Sequence, residues 1–298
     1  HLISSLNNSD DYQVFSCSRR EGVDLRNYKE LESFVRKTKP DIVIHCAAHV
    51  GGIAYDEMYP VAIFEDNLTI GLNTVKAVAE NNIRCLINMM PNCTYPAQFD
   101  EYKEETWWDG EMHPSVVVYG LPRKMMEVAC FAYLKKYDFR VAHIVFPNLY
   151  GPGDHFDPIR SHALGALIAK IVNAKRNNEK SVEIWGTGKP IREWLYIEDA
   201  VDAISLVLKN IDAIKNNDLL NIGVNQGLPI GSLAELIKEL SGWEGEFNFD
   251  DSKPDGAKTK LLSAEKLKTI FRWEPKHDLR AGIEKTILWY KGSCQSNK

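Results

Sequence analysis

Apolar residues in the first half of the chain follow two patterns that alternate. Short continuous apolar runs, typical of strands buried on both faces of a sheet, alternate with longer segments whose apolar residues recur at helical spacing. The predicted strands are 12–17, 41–48, 84–90 and 140–147, and the predicted helices are 27–38, 63–82 and 119–137. This order predicts an α/β protein with a doubly wound parallel sheet, whose ligand lies beyond the carboxyl ends of the strands.

The pattern becomes less regular after Pro147. A loop rich in Gly, Pro and Asp at 148–158 leads into shorter strands and helices, which predict a smaller α/β substrate-binding cap. The strands predicted there are 181–185, 192–197 and 219–223, and the helices are 161–176, 232–242 and 279–290. We therefore expect a Rossmann-like domain at 1–152, joined by about 190–216, and a substrate-binding domain formed by 153–189 and 217–298.

The start of the chain differs from the usual start of such a fold. The residues HLISSL read as the end of an amphipathic helix, and the strand-like segment 12–17 follows them. A doubly wound nucleotide-binding fold begins with a strand and a glycine-rich turn ahead of its first helix. We therefore expect that roughly 15–20 residues, with the first strand and the Gly-rich loop, are missing from the front of the chain.

Composition and charge exclude several classes of protein. The 298 residues are 44% hydrophobic and 26% charged, which is ordinary for a globular protein, and the net charge of −5 gives no reason to expect a nucleic-acid partner. No apolar run approaches the ~20 residues needed to cross a membrane. The six cysteines are scattered without a CxxC pair, which indicates the reducing cytoplasm rather than a disulfide framework.

The predicted strand ends carry small or reactive residues. HCAAHVGGI places Ala47, Ala48 and His49 after one strand, where small side chains let a flat ligand approach the backbone, although a tight turn would also explain them. NCTYP places Cys93 in the loop after the next strand. A thiol there can exchange protons if its pKa lies near neutrality. Taken alone, a buried and unreactive cysteine is the simpler interpretation.

A tyrosine and an arginine share one face of a predicted helix. In VVVYGLPRK, Tyr119 and Arg123 are four residues apart, and Pro122, which fits only in a first helical turn, places Tyr119 at the start of the helix. A nearby cation favours the phenolate, so Arg123 is expected to lower the pKa of Tyr119. The alternative is a tyrosine packed on the surface without a chemical role.

The loop after the last main strand is rich in polar residues. It places Asn148 and His162 beyond the carboxyl end of the sheet. Asp154, His155 and Asp157 lie between them, but their spacing fits no standard ligand pattern, and we predict no metal site.

Two further segments indicate phosphate-containing ligands. In SCSRREG, Arg19 and Arg20 stand where an NAD enzyme usually places an acid, and arginines suit the 2′-phosphate of NADP. In WGTGKPIREW, Trp185 and Arg192 combine an aromatic ring with a guanidinium. That combination suits the stacking of a base and the binding of a phosphate.

Taken together and in this order, the motifs resemble the extended short-chain dehydrogenase/reductase family, and within it the GDP-L-fucose synthases, epimerase/reductases of GDP-4-keto-6-deoxy-mannose. The resemblance covers nearly the whole chain and rests on AAHVGGI, NCTYP, PNLYGPGDHF with SHALGAL, WGTGKPIREWLYIED, LNIG and KPDGAKTKLL. It implies an enzyme whose first domain binds NADP(H) and whose second domain binds a nucleotide sugar, with a GDP-sugar favoured. It also implies a homodimer through the helices 63–82 and 119–137.

The resemblance implies a reaction in two stages. Cys93 and His162 match the acid/base pair that epimerises C3 and C5, whose protons are acidic because both carbons flank the C4 ketone. A hydride then passes from NADPH to C4, and Tyr119, with Arg123 as its cation, protonates the new alkoxide.

The resemblance also assigns binding residues by their positions in the motifs. The residues assigned to the cofactor are Arg19, Arg20, Asp24, Leu25, Ala47, Ala48, His49, Asn67, Tyr119, Arg123, Pro147, Asn148 and Leu149. The residues assigned to the substrate are Asn92, Thr94, Asn148, His162, Lys170, Trp185, Arg192 and Lys260.

Two positions depart from the family pattern. Arg123 stands where the family has a lysine, and a planar guanidinium does not replace an ammonium conservatively. Pro91 and Asn92 precede Cys93 in place of a serine or threonine, which leaves Asn92 or Thr94 to donate a hydrogen bond to the C4 oxygen. Two alternatives therefore stay open. One is an epimerase that consumes no cofactor, resembling GDP-mannose 3,5-epimerase, and the other is a non-catalytic protein that binds a nucleotide sugar or NADP.

Overall fold

The computed structural model describes residues 1–157 and 160–296, with side chains up to residue 293. The strands are β1 (Ile42–His45), β2 (Cys85–Pro91), β3 (Arg140–Phe146), β4 (Asn148–Tyr150), β5 (Ser181–Trp185), β6 (Ile191–Tyr196), β7 (Asp218–Asn221), β8 (Gly227–Pro229), β9 (Glu246–Asp250) and β10 (Thr259–Lys260). The helices are α1 (Leu2–Asn7), α2 (Tyr28–Thr38), α3 (Ile53–Met58), α4 (Pro60–Glu80), α5 (Val117–Tyr133), α6 (Ala163–Asn177), α7 (Ile197–Lys209), α8 (Ile230–Ser241), α9 (Glu265–Phe271) and α10 (Leu279–Ser296).

Four parallel strands form the main sheet in the order β1-β2-β3-β7. Its central strands, β2 and β3, are mostly apolar because both of their faces are covered. Leu86 and Val141 face a layer formed by α2, α4 and α5, whereas the next residues, Ile87 and Ala142, face a layer that includes α7 and α9. The α/β fold with a Rossmann-like, doubly wound parallel sheet is therefore confirmed.

A second, smaller set of elements packs around its own core. Strands β10, β6 and β4 form one sheet, to which β8 adds in antiparallel orientation, and β5 pairs with β9 in parallel. Buried residues of α6, α8 and α10, among them Ile168, Ile237 and Ile283, belong to this core. This smaller set adjoins the carboxyl edge of the main sheet. Its strand β4 begins two residues after the end of β3, and its strand β6 leads directly into α7, which packs on the main sheet.

Two local expectations from the sequence are wrong. Residues 12–17 form no strand, because no neighbouring strand among the described residues supplies a ladder of hydrogen bonds. Pro122 lies inside α5 rather than in its first turn, because the helix already begins at Val117. The division into two domains stays a prediction, and β7, which that division places in the second domain, pairs with β3 in the main sheet.

Candidate functional site

The carboxyl ends of β1, β2 and β3 lie at one edge of the main sheet because these strands are parallel. The loop after β1 carries His49 and leads into α3, and β2 is followed by a 3-10 turn, Asn92–Thr94, with Cys93 at its centre. Tyr119 lies in the first turn of α5. A Cβ added to Gly120 would lie 3.4 Å from the Cys93 carbonyl oxygen, so α5 begins directly against the Cys93 turn.

Arg123 is almost completely buried and connects the ends of two strands. Its side chain donates hydrogen bonds to the carbonyl oxygen of Ala47, at 3.0 Å, and to that of Met89. Its Nη1 also lies 2.9 Å from Nε2 of the buried His45. Since a guanidinium has no acceptor, Nε2 of His45 must accept this bond. Burial, with the charge of Arg123, lowers the pKa of His45 well below its usual range.

Tyr119 lies in the field of Arg123, but its pKa is raised rather than lowered. Burial raises the pKa of the Tyr119 phenol to about 12, and the charge of Arg123 offsets only part of that effect. Cys93 and Asp56 raise this pKa further. The expected fall in the pKa of Tyr119 is therefore wrong, because desolvation outweighs the cation. The phenol is protonated at neutral pH and can give a proton.

Cys93 and His162 share a charged neighbour, Lys260. Burial raises the pKa of Cys93 to about 11, which Lys260 lowers in part and Asp56 raises. His162 keeps an accessible surface, yet the protein atoms around it lower its pKa by desolvation, while the charge of Asp154 acts in the opposite direction. Near neutral pH the structure therefore presents a thiol and a neutral imidazole, which are a donor and an acceptor of protons.

The turn around Cys93 is held by Lys124, whose ammonium lies 3.4 Å from the carbonyl oxygen of Thr94. Burial lowers the pKa of Lys124 to about 8. The buried Thr94 hydroxyl donates to the Pro91 carbonyl oxygen at 2.5 Å. The sequence left Asn92 or Thr94 as the donor to the C4 oxygen, and the Thr94 hydroxyl is already engaged. Nδ2 of Asn92 is buried with no partner among the described residues, and it is the donor that remains.

Two cations lie side by side on neighbouring strands of the smaller set of elements. Lys260 on β10 and Arg192 on β6 are paired in register. Burial lowers the pKa of Lys260, and the charge of Arg192 adds to that effect. On β5, the ring centre of the exposed Trp185 has the ammonium groups of Lys170 and Lys253 at 5.7 and 5.4 Å. These residues suit an anionic ligand that carries an aromatic base.

The segment before α2 carries free basic side chains. Arg19 and Arg20 lie exposed in a 3-10 turn, and neither forms an ion pair with any residue that the structure describes. The acid of this segment, Glu21, accepts hydrogen bonds from the hydroxyls of Ser16, at 2.5 Å, and Ser18, at 2.7 Å. The two arginines are therefore available to a phosphate.

The loop after β1 is fixed by residues of α4. Asn67, which is buried, accepts a hydrogen bond from the backbone N–H of His49 at 3.1 Å and donates one to the His49 carbonyl oxygen at 2.8 Å. The ring of His49 lies between Asp66, at 2.9 Å, and the hydroxyl of Tyr55, at 3.0 Å. Nδ2 of Asn67 also donates to the Ile63 carbonyl oxygen at 2.7 Å, so both of its hydrogens are engaged and the side chain supports the loop.

The other residues assigned to the cofactor have varied surroundings. Asp24 accepts a 2.6 Å hydrogen bond from Arg26, whose side chain holds the pKa of Asp24 down at about 2. Asn148 donates to the Glu193 carbonyl oxygen at 3.1 Å. The partly accessible residues are Leu25, Ala47, Ala48, Asn148 and Leu149, and Pro147 is buried.

The described part of the chain contains neither a cluster of metal ligands nor a membrane-spanning helix. No three His, Cys, Asp or Glu side chains in residues 1–157 and 160–293 are grouped as metal ligands would be. None of the described helices combines the length and the apolar character needed to span a lipid bilayer.

Residues 1–223 match the NAD dependent epimerase/dehydratase family, and this segment is most of the chain. The chain belongs to this family. Its relatives include GDP-L-fucose synthase 1 of Arabidopsis thaliana, which is 35% identical over 274 residues that cover 91% of this chain and 84% of the relative. GDP-L-colitose synthase of Yersinia pseudotuberculosis is 34% identical over 285 residues, which cover 95% of this chain and 91% of the relative. The resemblance predicted from the motifs is confirmed.

Solved structures of family members share the fold over nearly the whole chain. A GDP-6-OMe-4-keto-L-xylo-heptose reductase from C. jejuni matches with a TM-score of 0.90 and 27% identity, covering 98% of this chain and 94% of the other. A GDP-D-glycero-L-gluco-heptose synthase from Campylobacter jejuni, crystallised in the presence of NADPH, matches with a TM-score of 0.84 and 26% identity at the same coverage. This family member is therefore an enzyme of the GDP-sugar epimerase/reductase group.

One residue of the candidate site is absent from the sequence-based assignments. Asp56, on α3, is 5% exposed, and burial raises its pKa to about 7, while Lys260 lowers it in part. Because α3 has only six residues, no helical periodicity reveals it. The available signal is an acid four residues after the second glycine, Gly52, of the motif HCAAHVGGI.

Proposed function

We propose that this enzyme is an NADP-dependent epimerase/reductase of a GDP-4-keto-6-deoxy-hexose or a related 4-keto sugar such as a 4-keto-heptose. The observation that carries the proposal is the grouping of a phenol, a thiol and an imidazole beyond the main sheet. Cys93 interacts electrostatically with Tyr119 and with Lys260, and Lys260 with His162. The names of the relatives, which are synthases and reductases of GDP-sugars, support the choice of substrate class.

The residues at the carboxyl edge of the main sheet fit a nicotinamide cofactor. Arg19 and Arg20, free of ion pairs, would bind the 2′-phosphate, and the accessible Ala47 and Ala48 would let the cofactor approach the backbone. Asn67 keeps the His49 loop in place beside them. Bound NADPH supplies the hydride for C4.

The nucleotide sugar would lie along the smaller set of elements. The ring of Trp185, 51% exposed, is available to stack on the guanine, and Lys170 beside it adds positive charge. Arg192 and Lys260, adjacent in register, would hold the diphosphate, since two neighbouring cations match its charge. The sugar would then lie next to Cys93, whose pKa the charge of Lys260 lowers in part.

The protonation states of the site suit epimerisation followed by reduction. The neutral imidazole of His162 takes a proton from a carbon beside the ketone, and the Cys93 thiol gives a proton to the opposite face of that carbon. Tyr119 then gives its phenolic proton to the C4 oxygen, and the charge of Arg123 stabilises the phenolate left behind. The free amide nitrogen of Asn92 donates a hydrogen bond to the same oxygen.

The test is incubation of the enzyme in D2O with NADPH and GDP-4-keto-6-deoxy-mannose. We expect loss of NADPH absorbance together with deuterium at C3 and C5. Tyr119→Phe should stop the oxidation of NADPH and leave the deuterium uptake measurable, because the phenol acts only in the reduction. Deuterium uptake without oxidation by the wild type would indicate an epimerase, and binding alone would indicate a non-catalytic protein. Either result would overturn the proposal.

We also propose a homodimer formed through α4 and α5. These helices pack against each other, and each carries exposed apolar residues at a spacing of three or four. The exposed residues are Val61, Phe64, Leu68 and Leu72 on α4, and Met125, Val128 and Phe131 on α5. A second copy of the chain that packs its own α4 and α5 against these two helices would cover the exposed apolar residues of both. Sedimentation equilibrium should give a dimer for the wild type and a monomer for Leu68→Glu, and a monomeric wild type would contradict the proposal.

We infer a cytoplasmic location for the enzyme. The five cysteines whose side chains the structure describes are all free, which suits a reducing compartment.

A further inference from the structure

Several polar atoms at the candidate site lack hydrogen-bond partners. Among the described residues, six buried side-chain nitrogen or oxygen atoms have no partner. Four of these six atoms lie in loops or helices at the carboxyl edge of the main sheet. They are Asp56 Oδ1, Asn92 Nδ2, Arg123 Nε and Ser161 Oγ. Because nearly all buried polar atoms in proteins are paired, this group marks a place where a ligand supplies the missing partners.

Asp56 is the acid of this group. Its helix, α3, contacts the segment before α6 and the segment before β10. A Cβ at Gly52, the residue that precedes α3, would meet the carbonyl oxygen of Ser161 at 3.2 Å. A Cβ at Gly256 would meet the side chain of Ile53, on α3 itself, at 3.4 Å. Helix α3 therefore lies between the segment that leads into α6 and the segment that leads to β10.

The carboxyl of Asp56 lies beside the groups that are proposed to act on the sugar. Its charge influences the pKa values of Cys93, Tyr119 and Lys260. Oδ1 of its carboxyl is buried with no hydrogen-bond partner among the described residues, and the residue as a whole is 5% exposed. A buried carboxyl oxygen without a donor is unfavourable, and the charge of Lys260 alone does not supply the missing hydrogen bond.

We propose that Asp56 binds a ring hydroxyl of the sugar and thereby selects sugars that carry a hydroxyl at that position; this inference rests on the proposed function. Hydroxyls are the hydrogen-bond donors that a neutral sugar offers, and a carboxylate accepts from them. A site built to bond a hydroxyl also rejects analogues that lack it, because its buried carboxyl would stay unpaired. The residue acts on the sugar and not on the nucleotide, since the base and diphosphate positions lie at Trp185, Arg192 and Lys260.

Calorimetric titration with GDP-L-fucose and with GDP tests the inference without any turnover. At pH 8.5, where Asp56 is ionised because its pKa is about 7, Asp56→Ala should weaken the binding of GDP-L-fucose about tenfold or more, the effect of losing one hydrogen bond to a charged group. It should leave the Kd for GDP within about twofold of the wild type. Asp56→Asn keeps the shape and one acceptor, so we expect a smaller loss. Glu57→Gln, which alters an exposed acid at the next position of α3, is the matched control and should change neither Kd.

The outcomes separate this inference from the proposed function. An unchanged Kd for GDP-L-fucose in Asp56→Ala would overturn the inference. So would an equal weakening of both ligands in Asp56→Asn, since that result indicates a structural role. Should Asp56→Ala fail to fold, the Kd values of Asp56→Asn for GDP-L-fucose and for GDP are compared instead. A wild type that reduces no 4-keto sugar, but whose variants still lose affinity for GDP-L-fucose alone, would refute the proposed function and support the role of Asp56.

Discussion

Replacing Arg123 with methionine is expected to destabilise the carboxyl edge of the main sheet. Methionine keeps the unbranched shape but removes the donors to the carbonyl oxygens of Ala47 and Met89, and the donor to Nε2 of His45. Each hydrogen bond from a charged group contributes about 1.5–3 kcal/mol, and both carbonyls lose it. Burial of a guanidinium that is only 3% exposed has its own cost, which the variant recovers. We therefore expect a net loss of about 3 kcal/mol in the free energy of unfolding.

Urea unfolding followed by tryptophan fluorescence measures this loss as a lower midpoint at unchanged slope, and the chain has seven tryptophans to report it. Arg123→Lys keeps the charge but offers one nitrogen where the guanidinium uses two, so we expect about half of the loss. Arg36→Met is the matched control. The Arg36 side chain is 67% exposed and paired with Glu32 on the same helix, so its loss should stay below about 1 kcal/mol.

The same variants test the role of Arg123 beside Tyr119. Arg123→Lys should still reduce a 4-keto sugar with NADPH, because a cation remains to stabilise the phenolate. Arg123→Met should lose that activity. If Arg123→Met had the same urea midpoint as Arg36→Met, the stabilising role of Arg123 at the ends of the strands would be refuted.

Three further predictions concern the cofactor, the acid/base pair and a buried carboxyl. NADP(H) should bind at least about tenfold better than NAD(H), which is about 1.4 kcal/mol, and the pair Arg19→Ala and Arg20→Ala should remove the difference; equal titration curves for the wild type would contradict this. Cys93→Ser and His162→Gln should each suppress deuterium uptake beside the ketone at unchanged NADP affinity, and wild-type exchange rates in both would show the assignment to be wrong. Glu193 accepts hydrogen bonds from three backbone N–H groups, and burial raises its pKa from 4.5 to about 7. Because the unfolded chain releases this proton first, the contribution of Glu193 to stability is fully present below about pH 4.5 and falls as the pH rises to about 7. Glu193→Gln should remove that fall from urea midpoints measured across this range, and the same fall in the variant would rule out Glu193 as its source.

The sequence predicts best those strands that are buried on both faces. The apolar runs of β2 and β3 indicate a parallel sheet because helices cover both of their faces. Segment 12–17 has a similar pattern but forms no strand, since pairing depends on a neighbouring strand that local hydrophobicity does not report. Helices α3 and α9, of six and seven residues, are too short to show a helical period.

The order of the motifs predicts that Cys93, Tyr119 and His162 belong to one site, because the ends of parallel strands converge. The motifs do not report which polar atoms are already engaged. Asn67 bonds the backbone of His49, and Thr94 bonds the loop that contains it. Those bonds depend on atomic positions that residue types and spacing leave open.

Helix α4 supports the His49 loop with one face, and in the proposed dimer another face would meet a second subunit. Asp66 and Asn67 hold the loop of His49, whereas Phe64 and Leu68 lie exposed on the face proposed to meet a second subunit. If the dimer forms as proposed, one helix serves both contacts, and separation of the subunits would loosen the support of that loop. The rate per subunit should then fall as the enzyme is diluted toward the dissociation constant of the dimer. The specific activity would therefore depend on the concentration of the enzyme in the cell, through mass action alone.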